Sequence, residues 1–197
     1  MAHALVDGFV TPEQYLAAEE LSEERHEYYN GLVYPIHSPI HGMSGGSYAH
    51  DTLAGNLFAL CKAHLKGSGC RVSTSNMRLN IEAANCYFYP DLTIHCDAIE
   101  AKTQALTSAR IVVEVLSPST SNYDLGKKFA IYRQLESLQE YVLIDSESRS
   151  VSVYHRASHG DWLFHAYTPG FDEVVKLASI DFTVSLTDLY DDTGIEE

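Results

Sequence analysis

Three ionisable residues stand where an apolar side chain is expected. In RIVVEVLSPST, residues 110–120, Glu114 interrupts a run of Ile111, Val112, Val113, Val115 and Leu116. Such a β-branched run, stopped by Ser117-Pro118, reads as a strand buried on both faces. A buried carboxylate without a partner is costly, so something must compensate Glu114. In YPDLTIHC, Asp91 follows Pro90 at the start of a strand. Alternation puts Asp91, Thr93 and His95 on one face, with Leu92, Ile94 and Cys96 on the other. If the two strands are neighbours, Asp91 and Glu114 converge, and two such carboxylates repel unless a cation or proton joins them. A hard divalent ion with oxygen ligands answers that need, Mg²⁺ being the natural choice.

The third residue is a lysine. NYDLGKKFAIYRQLES is helical in pattern, from about Tyr123 to Glu136. On a regular α-helical wheel, Leu135, Ile131, Tyr132 and Leu125 flank Lys128 on both sides, so Lys128 sits inside the apolar stripe. Lys127, one residue back, is rotated to the edge of that stripe. An interior lysine needs a route to solvent or an acidic partner. The helix follows the strand bearing Glu114, so Lys128 can point back at that carboxylate. Weighed against this, Asp124 and Lys128 form an i,i+4 pair of the sort common on solvated faces, worth about 0.2–0.5 kcal/mol.

The elements that must position these residues follow from the pattern. TPEQYLAAEELSEE reads as a helix capped by Thr11, with Pro12 at its first position, running to about Glu24. EYYNGLVYPI holds an Asn30-Gly31 hairpin turn. After the polar stretch HSPIHGMSGGS, YAHDTLAGNLFALCKAHLKG places Leu53, Leu57, Leu60, Cys61 and His64 at helical spacing, with Gly67 as its stop. CRVSTSNMRLNI, CYFYPDLTIHC, RIVVEVL, EYVLID, SVSVYHR and WLFHAY read as strands, and FTVSLTDLYDDTGIEE as a short helix fading into an acidic end. The expectation is an α/β fold, a mixed β-sheet flanked by α-helices with additional antiparallel strands.

The 197 residues, 45% hydrophobic, suit one domain spanning 1–197. Neither a signal peptide nor an apolar run of membrane-spanning length is evident, so a cytoplasmic protein is expected. On that reading Cys61, Cys70, Cys86 and Cys96 are reduced thiols. The formal net charge of −14 argues against a general coat for polyanions, though not against a local site where metal offsets the acids.

RHEYYNGLVY, SYAHDTLAGNL, MRL, YPDLTI, VVEVLSPST, YDLGKKFAIYR and LQEYVLID, spread over Arg25 to Asp145, together resemble the Uma family of restriction endonucleases in the PD-(D/E)XK nuclease superfamily. The resemblance implies a restriction-endonuclease-like core and metal-dependent hydrolysis of phosphodiester bonds in DNA by a homodimer. Asp91 matches the PD aspartate and Glu114 the second acid. With the backbone carbonyl of Val115 they would hold Mg²⁺ or Mn²⁺. Glu27 matches an acidic position that supports a second metal or its water, and His50 a histidine before the second helix, where capping is the bland role. The superfamily lysine, two residues after the second acid, is replaced by Leu116, and the resemblance moves that lysine to Lys128.

Two rivals remain. A nuclease-fold protein that binds nucleic acid or a protein partner without cutting suits the net charge. A zinc protein would use His37 and His41 with the cysteines. Lys62, Lys66, Arg71 and Arg78 are candidates for a local basic strip. Tyr28, Tyr29, Phe88 and Trp162 could stack bases, with core packing the default. Ser117 reads as part of a turn rather than as a nucleophile.

Overall fold

The computed structural model describes residues 8–36, 47–118 and 123–196. Helix α1, Pro12–Leu21, starts with a capping box in which Thr11 and Gln14 each satisfy the other's backbone N–H. It ends three residues before the expected Glu24, where Ser22 turns extended and its hydroxyl accepts the N–H of Glu24. Strands β1, His26–Tyr29, and β2, Leu32–Pro35, form the expected hairpin. Asn30 and Gly31 adopt φ of 47° and 89°, the left-handed pair that a two-residue hairpin turn demands. His37 and His41 lie outside the described residues. Helix α2, Tyr48–His64, is capped by Ser47 and buries Leu53, Leu57 and Cys61 at the predicted spacing.

CRVSTSNMRLNI and CYFYPDLTIHC each prove to be two strands in two different sheets. β3, Arg71–Thr74, pairs with β6, Leu92–His95, and β4, Arg78–Ile81, pairs with β5, Cys86–Phe88. Thr74 opposes Leu92 and Leu79 opposes Phe88, so residues 75–78 face residues 89–91, one residue more on the first strand. This bulge, with Pro90 unable to donate to a ladder, bends the hairpin out of one sheet into the other. Asp91 sits at the bend.

The first sheet is five-stranded, in the order β2-β1-β5-β4-β7, where β7 is Ala105–Leu106. The second has the order β11-β10-β9-β8-β6-β3, built with β8, Ile111–Leu116, β9, Glu140–Asp145, β10, Val151–Arg156, and β11, Trp162–Tyr167. It is mixed: β8 runs parallel to β9 and antiparallel to β6. A hairpin of β12, Val174–Leu177, and β13, Phe182–Ser185, stands apart. The chain after Phe182 is thus a strand before it becomes helical, correcting the expected helix, and its helix is a single turn, Leu186–Leu189.

Alternation along β8 divides two cores. Ile111, Val113 and Val115 pack with α2 and the β12-β13 hairpin. Val112 packs the other way, with Leu79, Phe88, Ile131, Tyr132 and Tyr141. Glu114 shares the face of Val112 and so points into the layer between the sheets. Two of the expected thiols are corrected: the Arg71–His95 register brings Cys70 and Cys96 together in a cross-strand disulfide. Cys61 and Cys86 are buried thiols. Arg78 also leaves the expected basic strip, since it is buried against Gln104. Among the described residues no helix is long and apolar enough to cross a membrane.

The sheet holds a second buried acid, Glu140 on β9. Its carboxylate accepts the N–H of Ala178 at 2.8 Å, the N–H of Ser179 at 3.1 Å and the Ser179 hydroxyl, tying the β12-β13 connection to the sheet. His155 Nδ1 lies 3.5 Å from the same carboxylate, and these contacts give Glu140 a structural role. Glu140→Ala is predicted to lower the unfolding free energy by about 2–3 kcal/mol, read as a lower urea midpoint at unchanged slope.

Candidate active site

Glu114 is 4% exposed in the middle of its sheet, between β6 and β9. Its Oε1 accepts hydrogen bonds from Lys128 Nζ at 3.1 Å and from the Tyr132 hydroxyl at 2.7 Å. Both donors come from the segment after β8, which the sequence pattern reads as one regular α-helix. It is instead a π-helical turn, Asp124–Lys128, continued by one α-helical turn, α3, Phe129–Tyr132. Bonding i→i+5 widens the turn. The regular wheel fails here for Leu125, which is 42% exposed, yet Lys128 is inside and Lys127 outside, as predicted.

Lys128 is shared. Besides Glu114, its ammonium lies 3.4 Å from Glu27 Oε1 and 3.5 Å from Asp124 Oδ1. Phe88 and Tyr123 present ring faces to it, at 5.6 and 5.9 Å from their centroids. Glu27 arrives from β1, in the five-stranded sheet, so the ammonium bridges the two sheets. The surface i,i+4 reading of Asp124 is overturned, because Asp124 is 3% exposed and faces inward. The same wheel held the signal: a residue four back from Lys128 falls on the same face, inside the stripe. The Tyr141 hydroxyl, donating to the Asp124 carbonyl at 3.0 Å, pins this turn to β9.

Asp91 completes the group. Leu92 opposes Val113, so Asp91 falls across from Glu114 on the same face, as the alternation predicts. Its Oδ2 accepts the Val115 N–H at 2.7 Å and lies 3.4 Å from His50 Nε2. The expected capping role of His50 belongs to Ser47, whose hydroxyl accepts the His50 N–H, leaving the imidazole free to meet Asp91.

The electrostatics follow from one buried cation among several acids. Burial pushes Glu114 up to about 8; Lys128 opposes this, while Asp124, Asp91 and Glu27 add to it. Burial likewise raises Glu27, against the pull of Lys128. For Lys128, burial disfavours the ammonium, but Glu114, Glu27 and Asp124 outweigh it and hold the amine protonated. Burial also works against a charged His50, but the Asp91 hydrogen bond together with the charges of Asp91, Asp51 and Asp124 outweighs it and raises its pKa. Among the described residues no group of three or more His, Cys, Asp or Glu side chains is placed to hold a metal ion.

A pH dependence results. Glu114 has a higher pKa folded than unfolded, so its contribution to stability is full below its ordinary 4.5 and is lost as the pH rises through about 8. In chelator, the protein is predicted to resist urea better at about pH 5.5 than at about pH 8, with Glu114→Gln flattening the difference.

The Uma2 family, described as "Putative restriction endonuclease", matches residues 12–187. The uncharacterized protein slr1290 of Synechocystis is 36% identical over 178 residues, 90% of each chain. The uncharacterized protein sll1609 of the same organism is 32% identical over 157 residues, 78% of this chain and 85% of that one. A crystal structure described as "a putative nuclease belonging to DUF820", from Anabaena variabilis, has the same fold, with a TM-score of 0.72 at 18% identity over 92% of this chain and 97% of that one. Matched from α1 into its last helix, and more than a third identical to a relative over nine-tenths of its length, this chain belongs to the Uma2 family.

Proposed function

We propose that the chain is a Mg²⁺- or Mn²⁺-dependent endonuclease hydrolysing phosphodiester bonds in DNA. The observation that carries this reading is the Lys128 ammonium shared by Glu114, Glu27 and Asp124, directly behind an Asp91 that faces Glu114. Glu140 is met by two backbone N–H groups and a hydroxyl, with His155 3.5 Å away, and faces no second carboxylate in those contacts; around Lys128 carboxylates outnumber the cation that joins them.

The donor set fits a hard divalent ion. Two carboxylates on adjoining strands, Asp91 and Glu114, with the Val115 carbonyl, suit Mg²⁺, which keeps several waters and takes one or two protein carboxylates rather than a closed cage. When bound, such an ion supplies positive charge against the phosphate oxygens and lowers the pKa of a water.

The chain's own groups do the rest. The Val115 N–H and His50 hold Asp91 in one orientation. Tyr132 and Lys128 do the same for Glu114. Lys128, kept protonated by its acids, hydrogen-bonds the attacking oxygen and offsets the charge that grows on the phosphate. Water adds to phosphorus as the bond to one ester oxygen breaks; the water gives a proton to solvent, and the departing oxygen takes one up from solvent to leave as an alcohol. Glu27, with its hold on Lys128, keeps that ammonium aimed and supports a second ion or its water. A homodimer would place two such sites on the two strands of a duplex.

Incubating the protein with plasmid and single-stranded DNA, with and without Mg²⁺ or Mn²⁺, tests this reading, using Glu114→Ala as control. Metal-dependent cleavage lost in the variant supports it; no cleavage, or equal cleavage by the variant, overturns it. Lys128→Ala is predicted to lower the cleavage rate about 10²–10³-fold with Mn²⁺ affinity retained, and Lys127→Ala to change the rate little. Mn²⁺ is predicted to raise the melting temperature by an amount that Asp91→Ala abolishes, native-state binding being worth about 2.7 kcal/mol at a hundredfold excess over Kd.

A further inference from the structure

Two clefts border the Asp91–His50 contact. One, of about 450 Å³, is lined by Arg25, Tyr48 and Tyr89 among others. The second, of about 250 Å³, runs on past Ala54, Gly55 and Phe58 of α2. Both share His50, Asp51, Ser75 and Asp91, so together they form one groove with Asp91 at its middle. On the α2 wheel, His50, Ala54, Phe58 and Lys62 succeed one another at i,i+4 steps with Gly55 beside them, a single face rising about 18 Å from His50 to Lys62.

Arg25 lines the first cleft, and Lys62 stands one α2 turn beyond Phe58, which lines the second. Arg25 donates from Nη1 to the Ser75 carbonyl, at 2.6 Å, on the bulge that bends the hairpin. Lys62 lies over the Phe58 ring, 6.0 Å from its centroid. Among the described residues neither is paired with a carboxylate, in a chain of net charge −14. Asp51 and Asp91 make the middle negative, where a phosphate needs a cation beside it. Gly55, a costly residue inside a helix, keeps the wall low: a Cβ built there meets nothing within 4 Å.

We propose that this groove carries one strand of a polynucleotide across Asp91, with Arg25 holding a phosphate on one side of the reacting phosphodiester and Lys62 holding one on the other. This rests on the nuclease reading and adds to it the path of the substrate strand. Arg25 and Lys62 are positioning residues, and Gly55 is the clearance that lets the strand pass.

The test is binding of a fluorescein-labelled twelve-nucleotide single-stranded DNA, in Mg²⁺, to the full chain carrying Glu114→Gln. Gly55→Ala in that background is expected to melt higher and bind within about twofold of the parent, since alanine favours the helix. Gly55→Leu is expected to melt at least as high as the parent and bind about tenfold or more weakly, because its side chain fills the groove. Arg25→Gln and Lys62→Gln are each expected to lower the slope of log affinity against log salt by about 0.7, one phosphate contact on a single strand, with Arg25→Lys restoring the slope. Parental affinity in Gly55→Leu, or parental slopes in both glutamine variants, overturns the groove. Cleavage by the wild-type chain is measured separately: groove variants that bind normally while the wild type cuts defeat the path alone. Changed slopes without wild-type cutting defeat the nuclease reading and leave the path standing.

Discussion

A single ammonium, shut between two β-sheets and shared by three carboxylates, is the interaction on which the centre of this protein depends. Lys128 reaches Glu114 on the six-stranded sheet, Glu27 on the five-stranded sheet and Asp124 on its own turn. Remove the ammonium and three acids face one another in a layer otherwise built of Leu79, Phe88, Val112 and Tyr132. Buried ions of this kind return little net stability for their desolvation. On the proposed nuclease reading their retention is preorganisation, with charge already in place where the reaction would develop more.

Two backbone irregularities make the arrangement possible. The bulge at residues 75–78, opposite Pro90, passes the β3–β6 hairpin from one sheet to the other and leaves Asp91 at the corner, where it meets His50 and the Val115 N–H. The π-helical turn brings Asp124 and Lys128 inward together, while Tyr132, one α-helical turn later, reaches the same Glu114 oxygen. Bulges and π-turns are costly departures from regular ladders that recur beside functional sites. Here the bulge leaves Asp91 at a corner between the sheets, and the π-turn keeps Asp124 and Lys128 on the inward face that the regular wheel also gives them.

Much of this was legible in the sequence, for physical reasons. Glu114 betrayed itself by interrupting a β-branched run, and Lys128 by lying inside an apolar stripe; Glu114 is buried, and the Lys128 side chain, 11% exposed, is turned inward where pattern placed it. The Asn30-Gly31 turn and the Thr11 and Ser47 caps are local chemistry and read directly. What escaped depends on tertiary contacts. Asp124 looked like half of a surface ion pair because its depth is set by packing against β9. The bend at Pro90 split two apparent strands into four, and only their register reveals the extra residue. The Cys70–Cys96 bond follows from that same register and not from any spacing motif.

Function, on this view, turns on Glu114 and Asp91 being held apart for a cation rather than merely tolerated. Anomalous diffraction from a crystal grown with Mn²⁺ addresses that directly. A manganese peak bonded to carboxylate oxygens of both Asp91 and Glu114, with Lys128 still on Glu114, is the result expected. A peak only at surface acids, or none at saturating Mn²⁺, would contradict it and leave the Lys128 cluster a structural knot between two sheets.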